Sequence, residues 1–209
     1  MIRPTLARQA CPGATVLLRE PARSPCRRQP SGGHITLTFM TQPKTILGID
    51  PGTKEMGIAV LRGSQLLAYG VHTLRNGERP YDLIGQARRI VLGYIAEHTP
   101  QVVAIEAPLM LPTKRAAILS VIAQELHGRA RELNLEVREI TPQEVRQRVV
   151  GNPHATKIDV AEALVRQGFE ELRELIPKRP ARAALGLRPK DRYWLHMFDA
   201  LGLANASAS

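Results

Sequence analysis

The sequence predicts an α/β protein with a five-stranded mixed sheet, three antiparallel strands followed by two parallel ones, and helices on both faces. Two apolar runs, at residues 46–50 and 102–106, each end on a carboxylate, a pattern typical of buried strands that approach a ligand site. Two apolar segments flank Arg62-Gly63-Ser64-Gln65, which indicates a hairpin. Apolar residues at helical spacing between the later strands indicate crossover helices.

Each element has its own signal in the chain. Strands are expected at residues 46–50, 56–61, 66–71, 102–106 and 135–140. Apolar stripes predict helices over 81–98, 114–133, 157–167 and 193–204, with a basic loop over 177–189. Thr141-Pro142-Gln143-Glu144 is typical of a helix start with a capping box, and Gly151 ends that short helix. The order βββαβαβα is the layout of the ribonuclease H-like fold.

The positive charge of the chain is unevenly distributed. The 209 residues have a formal net charge of +10, which favours a polyanionic partner such as nucleic acid. Residues 1–39 contain six arginines and one acidic residue, Glu20, in a Pro-rich stretch, so we expect a disordered extension. A transit peptide and a translation start at Met40 are alternatives that stay open. Residues 40–209 form the single predicted domain.

The cysteines also lie in this extension. Because Cys11 and Cys26 are the two cysteines of the chain, the predicted domain has no disulfide and no thiolate metal site. The apolar run at residues 14–18 is too short for a membrane span, and no membrane association is expected. A reducing, cytoplasmic setting is predicted.

Asp50 and Glu106, at the ends of their strands, are candidate ligands of a cation. A lone buried carboxylate costs several kcal/mol, and a divalent cation can offset this cost. Because the carboxyl ends of parallel strands meet at one edge of a sheet, we expect the two side chains to lie together. Oxygen ligands suit Mg²⁺ or Mn²⁺, whereas a turn cap is the alternative for Asp50 alone.

A second polar pair lies on the last predicted helix. His196 and Asp199 are three residues apart and therefore share a face of an otherwise apolar helix. Together with the strand carboxylates they could hold two cations about 4 Å apart, which would acidify an attacking water and neutralise a leaving oxygen. A histidine that simply hydrogen-bonds a carbonyl is the alternative for His196.

These motifs together resemble those of the RuvC-type Holliday junction resolvases. The matching segments keep the same order and similar spacing: Gly48-Ile49-Asp50-Pro51-Gly52, Ala104-Ile105-Glu106, Thr141 to Arg146, Gly151-Asn152 with Lys157, and Asp199-Ala200-Leu201. The resemblance covers most of residues 46–204. It implies a homodimeric endonuclease, dependent on Mg²⁺ or Mn²⁺, that nicks four-way DNA junctions, with a branch-migration helicase as a candidate partner.

The resemblance also implies roles for individual residues. Asp50, Glu106 and Asp199 would be metal ligands, and His196 stands where many members have an aspartate, an exchange that favours Mn²⁺. Arg146 and Lys157 match positions that contact DNA phosphate. Further candidates for such contacts are Lys54, Lys114 and Arg115. The alternative for all these basic residues is solvated surface.

The chain departs from the family in two segments. Residues 107–112 lack the aromatic residue that follows the glutamate in the family, which bears on junction specificity. Residues 116–128 match the glycine-rich dimer helix poorly, so a monomeric core helix is an alternative. Two other functions stay open, a YqgF-like RNA nuclease of the same fold and a non-catalytic junction-binding module. Dependence of turnover on a divalent ion would separate the nucleases from the binding module.

Overall fold

A computed structural model of the chain describes residues 14–18, 42–75, 80–108, 112–178 and 189–208. The strands in this part are β1 (Ala14–Leu18), β2 (Thr45–Asp50), β3 (Glu55–Arg62), β4 (Gln65–Thr73), β5 (Val102–Glu106) and β6 (Glu136–Ile140). The helices are α1 (Pro80–His98), α2 (Lys114–Glu132), α3 (Pro142–Val150), α4 (Lys157–Arg166) and α5 (Pro189–Ser207), with a 3-10 helix at Glu170–Leu175.

The strands form one mixed sheet in the order β1-β4-β3-β2-β5-β6. β2, β3 and β4 are an antiparallel meander, whereas β5 and β6 run parallel to β2. The predicted α/β class, the five predicted strands and their directions are therefore confirmed. Both crossover helices, α1 and α2, lie within a residue or two of their predicted bounds.

A sixth strand corrects the expectation for the N-terminal extension. β1 pairs antiparallel with β4, with Ala14 opposite His72 and Leu18 opposite Ala68. The prediction that residues 1–39 are disordered is therefore wrong for residues 14–18. Thr15, Val16 and the leucines after them favour a strand, and the unpaired edge of β4 supplies the hydrogen-bonding partner. The rest of the extension lies outside the described residues.

The two faces of the sheet are covered by different helices. Leu47 and Ile49 of β2 pack in one apolar cluster with residues of α1 and α2. Ile46, on the other face, packs in a second cluster with residues of α3, α4 and α5. Because side chains alternate along a strand, Gly48 and Asp50 share this second face with Ile46. The face under α5 is thus the one that receives the strand-end carboxylate.

Local capping signals place the later helices. Thr141 and Glu144 form the predicted capping box, and Gly151 ends α3 in the left-handed region with φ of 81°. Thr156 and Asp159 form a second capping box that starts α4 at Lys157. The 3-10 helix was not predicted, and most of the predicted basic loop lies outside the described residues. Within the described ranges, no helix combines the length and the apolar character that crossing a membrane requires.

Candidate metal centre

A tight turn after β2 holds Asp50 at the carboxyl edge of the sheet. Asp50 is the last residue of the strand and is only 5% exposed. The chain reverses through Pro51 and Gly52 into β3, and a Cβ built on Gly52 would lie 1.7 Å from the carbonyl oxygen of Glu55. Only glycine fits this turn, which explains the Pro-Gly pair directly after the strand.

Two further glycines allow α5 to lie directly on the sheet. A Cβ on Gly57 would lie 1.8 Å from the carbonyl oxygen of His196, and one on Gly48 would lie 2.1 Å from that of Ala200. The backbone of α5 therefore contacts β2 and β3 without intervening side chains. This close approach places the polar pair of α5, His196 and Asp199, over the end of β2.

Asp50, His196 and Asp199 form a compact group. One potential ligand atom from each of the three lies within 4.8 Å of the others. The Nδ1 atom of His196 is 2.6 Å from an Oδ atom of Asp50. The structure thus brings together three of the four predicted ligands, from β2 and α5.

Glu106, the fourth predicted ligand, lies beside this group. It ends β5, one residue after Ile105, which pairs with Ile49 of β2. Its carboxylate is not among the three that converge within 4.8 Å. Burial, together with the negative charges of Asp50 and Asp199, raises the pKa of Glu106 to about 7 against the opposing effect of Lys157 and His196.

Asp199 is paired with a cation from α4. The Nζ atom of Lys157 forms an ion pair with one of its Oδ atoms. Burial nevertheless raises the pKa of Asp199 to about 6, because Lys157 only partly compensates for desolvation and for the charge of Asp50. Burial alone would lower the pKa of Lys157, but the attraction of Asp199 and its neighbours outweighs it and raises that pKa.

The donor set fits a divalent cation of the Mg²⁺ or Mn²⁺ type. Burial and the repulsion between neighbouring carboxylates together raise the pKa values of Glu106 and Asp199, and the nearby cationic side chains only partly oppose this. An added cation would relieve this repulsion directly. Carboxylate oxygens with a single imidazole suit Mn²⁺ or Mg²⁺ better than the softer metals, which prefer sulfur.

The predicted DNA-contacting residues differ in where they lie. Lys157 is inside the cluster, and Arg115 lines a cleft of about 220 Å³ together with Glu106. Lys54 is exposed in the turn after β2, and Lys114 is exposed at the start of α2. Arg146 is half-buried on α3 and, in the described part of the chain, makes no hydrogen bond or ion pair with the cluster.

The sequence analysis missed one residue of the site, Glu55. One of its Oε atoms is 3.3 Å from the Nε2 atom of His196, on the other side of the ring from Asp50. Glu55 starts β3, directly after the turn that Gly52 permits. Its position five residues after Asp50, across a tight turn, was the available signal, but nothing in the sequence indicated that α5 would reach it.

The fold and the cluster define a class of protein, an α/β protein of the ribonuclease H-like type with an acidic group that could hold a cation at the carboxyl edge of its sheet. Comparison with known sequences then gives the family. The family model described as crossover junction endodeoxyribonuclease RuvC matches residues 46–184. The chain belongs to the RuvC family.

Individual relatives agree with this assignment. The crossover junction endodeoxyribonuclease RuvC of Bacteroides fragilis is 33% identical over 141 residues, which cover 61% of this chain and 72% of that protein. The Thermus thermophilus RuvC structure has a TM-score of 0.59 and 25% identity, over 78% of this chain and 93% of that one. A second structure, T. thermophilus RuvC in complex with Holliday junction substrate, has a TM-score of 0.59 and 24% identity, over 79% and 93%, and shows the shared fold.

Proposed function

We propose that this protein is a metal-dependent endonuclease that resolves four-way DNA junctions in recombination and repair by direct hydrolysis of phosphodiesters. The observation that carries the proposal is the convergence of Asp50, His196 and Asp199 within 4.8 Å, with Glu106 beside them, in a chain of the RuvC family. The family assignment favours a junction resolvase over the YqgF-like RNA nuclease. Hydrolysis with a water nucleophile also requires no serine, cysteine or tyrosine in the site.

The four ligands have distinct tasks in this proposal. Asp50 and Asp199, whose ligand atoms converge with that of His196, would hold the cations, and Glu106 would complete the oxygen set from the neighbouring strand. When bound, a pair of divalent cations supplies an acidified water and neutralises the charge on the leaving 3′ oxygen. The imidazole of His196 favours Mn²⁺, although Mg²⁺ remains a suitable ion for the carboxylates.

Basic side chains around the cluster would hold the DNA backbone. Arg115 lies beside Glu106 in the cleft, and Lys54 and Lys114 are exposed on the same carboxyl edge of the sheet. Lys157 and Arg146, on α4 and α3, would extend this phosphate-binding surface. The net charge of +10 supports such a polyanionic substrate. These contacts position the junction and carry no base specificity.

Partners of the enzyme follow from the same proposal. A four-way junction has two equivalent strands to cut, so a homodimer would present one site to each. Tyr81 on α1 is 78% exposed and Val121 on α2 is 48% exposed, and we place the dimer contact on these neighbouring helices. We expect Val121→Glu to shift the protein to a monomer in sedimentation. A branch-migration helicase and a cytoplasmic location complete the proposal.

A cleavage assay with three substrates tests the function. Labelled four-way junction, linear duplex and structured RNA are each incubated with Mg²⁺, Mn²⁺ or a chelator, and the products are separated on a denaturing gel. We expect symmetric nicks at the junction that require the metal. Cleavage of RNA alone would assign the protein to the YqgF-like branch, and tight junction binding without cleavage in any metal would indicate a binding module.

A further inference from the structure

We propose that Glu55 is a positioning residue of the metal centre, which holds the Nε2 side of His196 so that Nδ1 faces the cation shared with Asp50. The inference rests on the proposed function, because it assumes that the cluster binds a divalent ion. It goes further in assigning the orientation of the imidazole and the residue that fixes it.

Both ring nitrogens of His196 face carboxylates. Nδ1 lies 2.6 Å from Asp50, and Nε2 lies 3.3 Å from Glu55. The two contacts are not equivalent, because Asp50 belongs to the group whose ligand atoms converge within 4.8 Å and Glu55 does not. Nδ1 is therefore the inner nitrogen, and Nε2 is the outer one.

The chemistry of imidazole determines what each nitrogen can do. A ring nitrogen binds a metal through its lone pair, so the other nitrogen of a neutral imidazole carries the proton. With Nδ1 on the cation, Nε2 becomes a hydrogen-bond donor and needs an acceptor. The Oε atom of Glu55 is placed to accept that bond. Such a carboxylate–histidine–metal arrangement fixes the tautomer and the ring plane and makes the coordinating nitrogen more basic.

The backbone holds Glu55 and His196 in fixed relative positions. Glu55 is the first residue of β3, and its carbonyl oxygen lies against Gly52 in the turn. Two residues later, Gly57 packs against the carbonyl oxygen of His196 itself. Side-chain exposures of 34% for Glu55 and 25% for His196 show that the contact is partly shielded from water. The carboxylate thus reaches the ring from a rigid segment.

Two substitutions at Glu55 separate orientation from charge. Glu55→Gln keeps an acceptor oxygen but removes the charge, whereas Glu55→Met removes both at similar length. Glu139→Gln is a matched control, because Glu139 pairs with Nδ1 of His127 at 2.9 Å. Glu139 is paired with Ile105, whose side chain packs on the α1 and α2 side of the sheet, so this second Glu–His pair lies on the face opposite the cluster.

The primary readout is Mn²⁺ affinity, measured by electron paramagnetic resonance on the full chain without DNA. We expect Glu55→Met to weaken Mn²⁺ binding by about 10- to 100-fold, Glu55→Gln to fall between it and the unaltered protein, and Glu139→Gln to change nothing. This graded recovery distinguishes positioning from a general loss of structure. If both Glu55 variants bind Mn²⁺ as tightly as Glu139→Gln does, the inference is overturned.

A spectroscopic readout tests the orientation itself. Zn²⁺ serves as a diamagnetic probe, and ¹⁵N spectra of labelled histidine report which nitrogen of His196 is protonated. We expect a protonated Nε2 and a metal-bound Nδ1, and the reverse would overturn the assignment. Failure of the unaltered protein to bind Mn²⁺ would instead overturn the proposed function, and this inference with it. Normal Mn²⁺ binding that is insensitive to Glu55 would overturn this inference alone.

Discussion

His196 and His72 lie on opposite faces of one sheet and show opposite electrostatic behaviour. His72 is 7% exposed on β4, where Nε2 is 3.0 Å from the hydroxyl oxygen of Tyr94. No carboxylate of the described residues pairs with His72, and burial lowers its pKa to about 4. Burial also lowers the pKa of His196, but the hydrogen bond and charge of Asp50 outweigh that effect and raise it.

The two faces of the sheet accommodate polar side chains in different ways. The α1 face buries a neutral histidine with a single hydrogen bond, as an ordinary core accommodates a polar side chain. The α5 face instead gathers acidic side chains, and their burial and mutual repulsion raise the pKa values of Glu106 and Asp199. Such perturbed groups are expected where a ligand completes the charge balance.

Removing one carboxylate charge from the α5 face should abolish catalysis. We expect Asp50→Asn to lower the junction cleavage rate by about 10³-fold or more, because it weakens the hold on the cation that stabilises the transition state. Each 1.36 kcal/mol of lost transition-state stabilisation lowers the rate about tenfold. Junction binding in a chelator should be retained, since asparagine has the size of aspartate and keeps an oxygen that can accept the hydrogen bond of His196. If cleavage and binding are lost together, with a lower melting temperature, Asp50 is a structural residue and the contrast between the faces disappears.

The close contact of α5 with the sheet should be sensitive to one methyl group. Gly57→Ala places a Cβ against the carbonyl oxygen of His196, so α5 must shift and the free energy of unfolding should fall by about 3 kcal/mol. Gly93→Ala is the control, because an added Cβ there meets no atom within 4 Å and should stabilise α1 by about 0.5–1 kcal/mol. Urea denaturation midpoints measure both. Equal midpoints would mean that α5 is not tightly packed at Gly57.

The sequence predicted most of the fold because its signals are local. Continuous apolar runs indicated β2 and β5, and the capping box at Thr141 indicated the start of α3. β1 was missed because its five residues are surrounded by an Arg- and Pro-rich stretch, and it forms only where the edge of β4 offers a partner. Pairing with a distant edge is a tertiary effect that local composition does not report.

The sequence was sufficient to select candidate ligands, three of which converge in the structure, and was not sufficient to predict the contacts around them. Residue types at strand ends and a helical i, i+3 spacing were enough to single out Asp50, Glu106, His196 and Asp199. The contact of Glu55 with His196 depends instead on how closely α5 approaches β3, which Gly57 sets. The pairing of Lys157 with Asp199 likewise depends on the packing of α4 against α5. Neither contact leaves a periodic signal in the sequence.

The two faces should respond to acid with opposite signs. His72 has a folded-state pKa below its unfolded value of 6.5. Its contribution to the free energy of unfolding is therefore fully present above pH 6.5 and is lost as the pH falls towards 4. By pH 5 this loss amounts to about 2 kcal/mol. Glu106 and Asp199 have raised pKa values, so they gain stability as the pH falls from about 7 towards 4.5.

Substitutions of His72 and of Glu106 should separate the contributions of the two faces to the pH dependence of stability. In chelator, we expect His72→Gln to gain stability between pH 7 and pH 5 relative to the unaltered protein, by about 2 kcal/mol. Glu106→Gln should show the reverse and become more sensitive to acid. Urea denaturation at both pH values provides the free energies of unfolding. Parallel pH profiles for the two variants would contradict the contrast between the faces.

Cation binding should stabilise the α5 face in a pH-dependent way. At 100 times its dissociation constant, Mn²⁺ is expected to add about 2.7 kcal/mol to the free energy of unfolding. Because protons compete for Glu106 and Asp199, the apparent affinity should rise from pH 5.5 to pH 7.5. Thermal melts with Mn²⁺ measure the effect, and Asp50→Asn should reduce it sharply. If Mn²⁺ raises the melting temperature equally at both pH values, the ion binds away from these carboxylates.

The contribution of Lys157 to DNA binding should depend on whether the cation is bound. Its ammonium group pairs with Asp199 in the metal-free protein, so it is not free to contact DNA phosphate there. In chelator, Lys157→Gln should therefore leave the salt dependence of junction binding nearly unchanged. With Ca²⁺ replacing Mg²⁺ to slow hydrolysis, the cation neutralises Asp199 and releases the ammonium, and the substitution should lower the slope of log K against log salt by about 1. Arg115→Gln removes a guanidinium that forms no ion pair within the part of the chain that the structure describes, and it should lower the slope in both conditions. An equal effect of Lys157→Gln with and without Ca²⁺ would show that its pairing with Asp199 does not control its access to DNA.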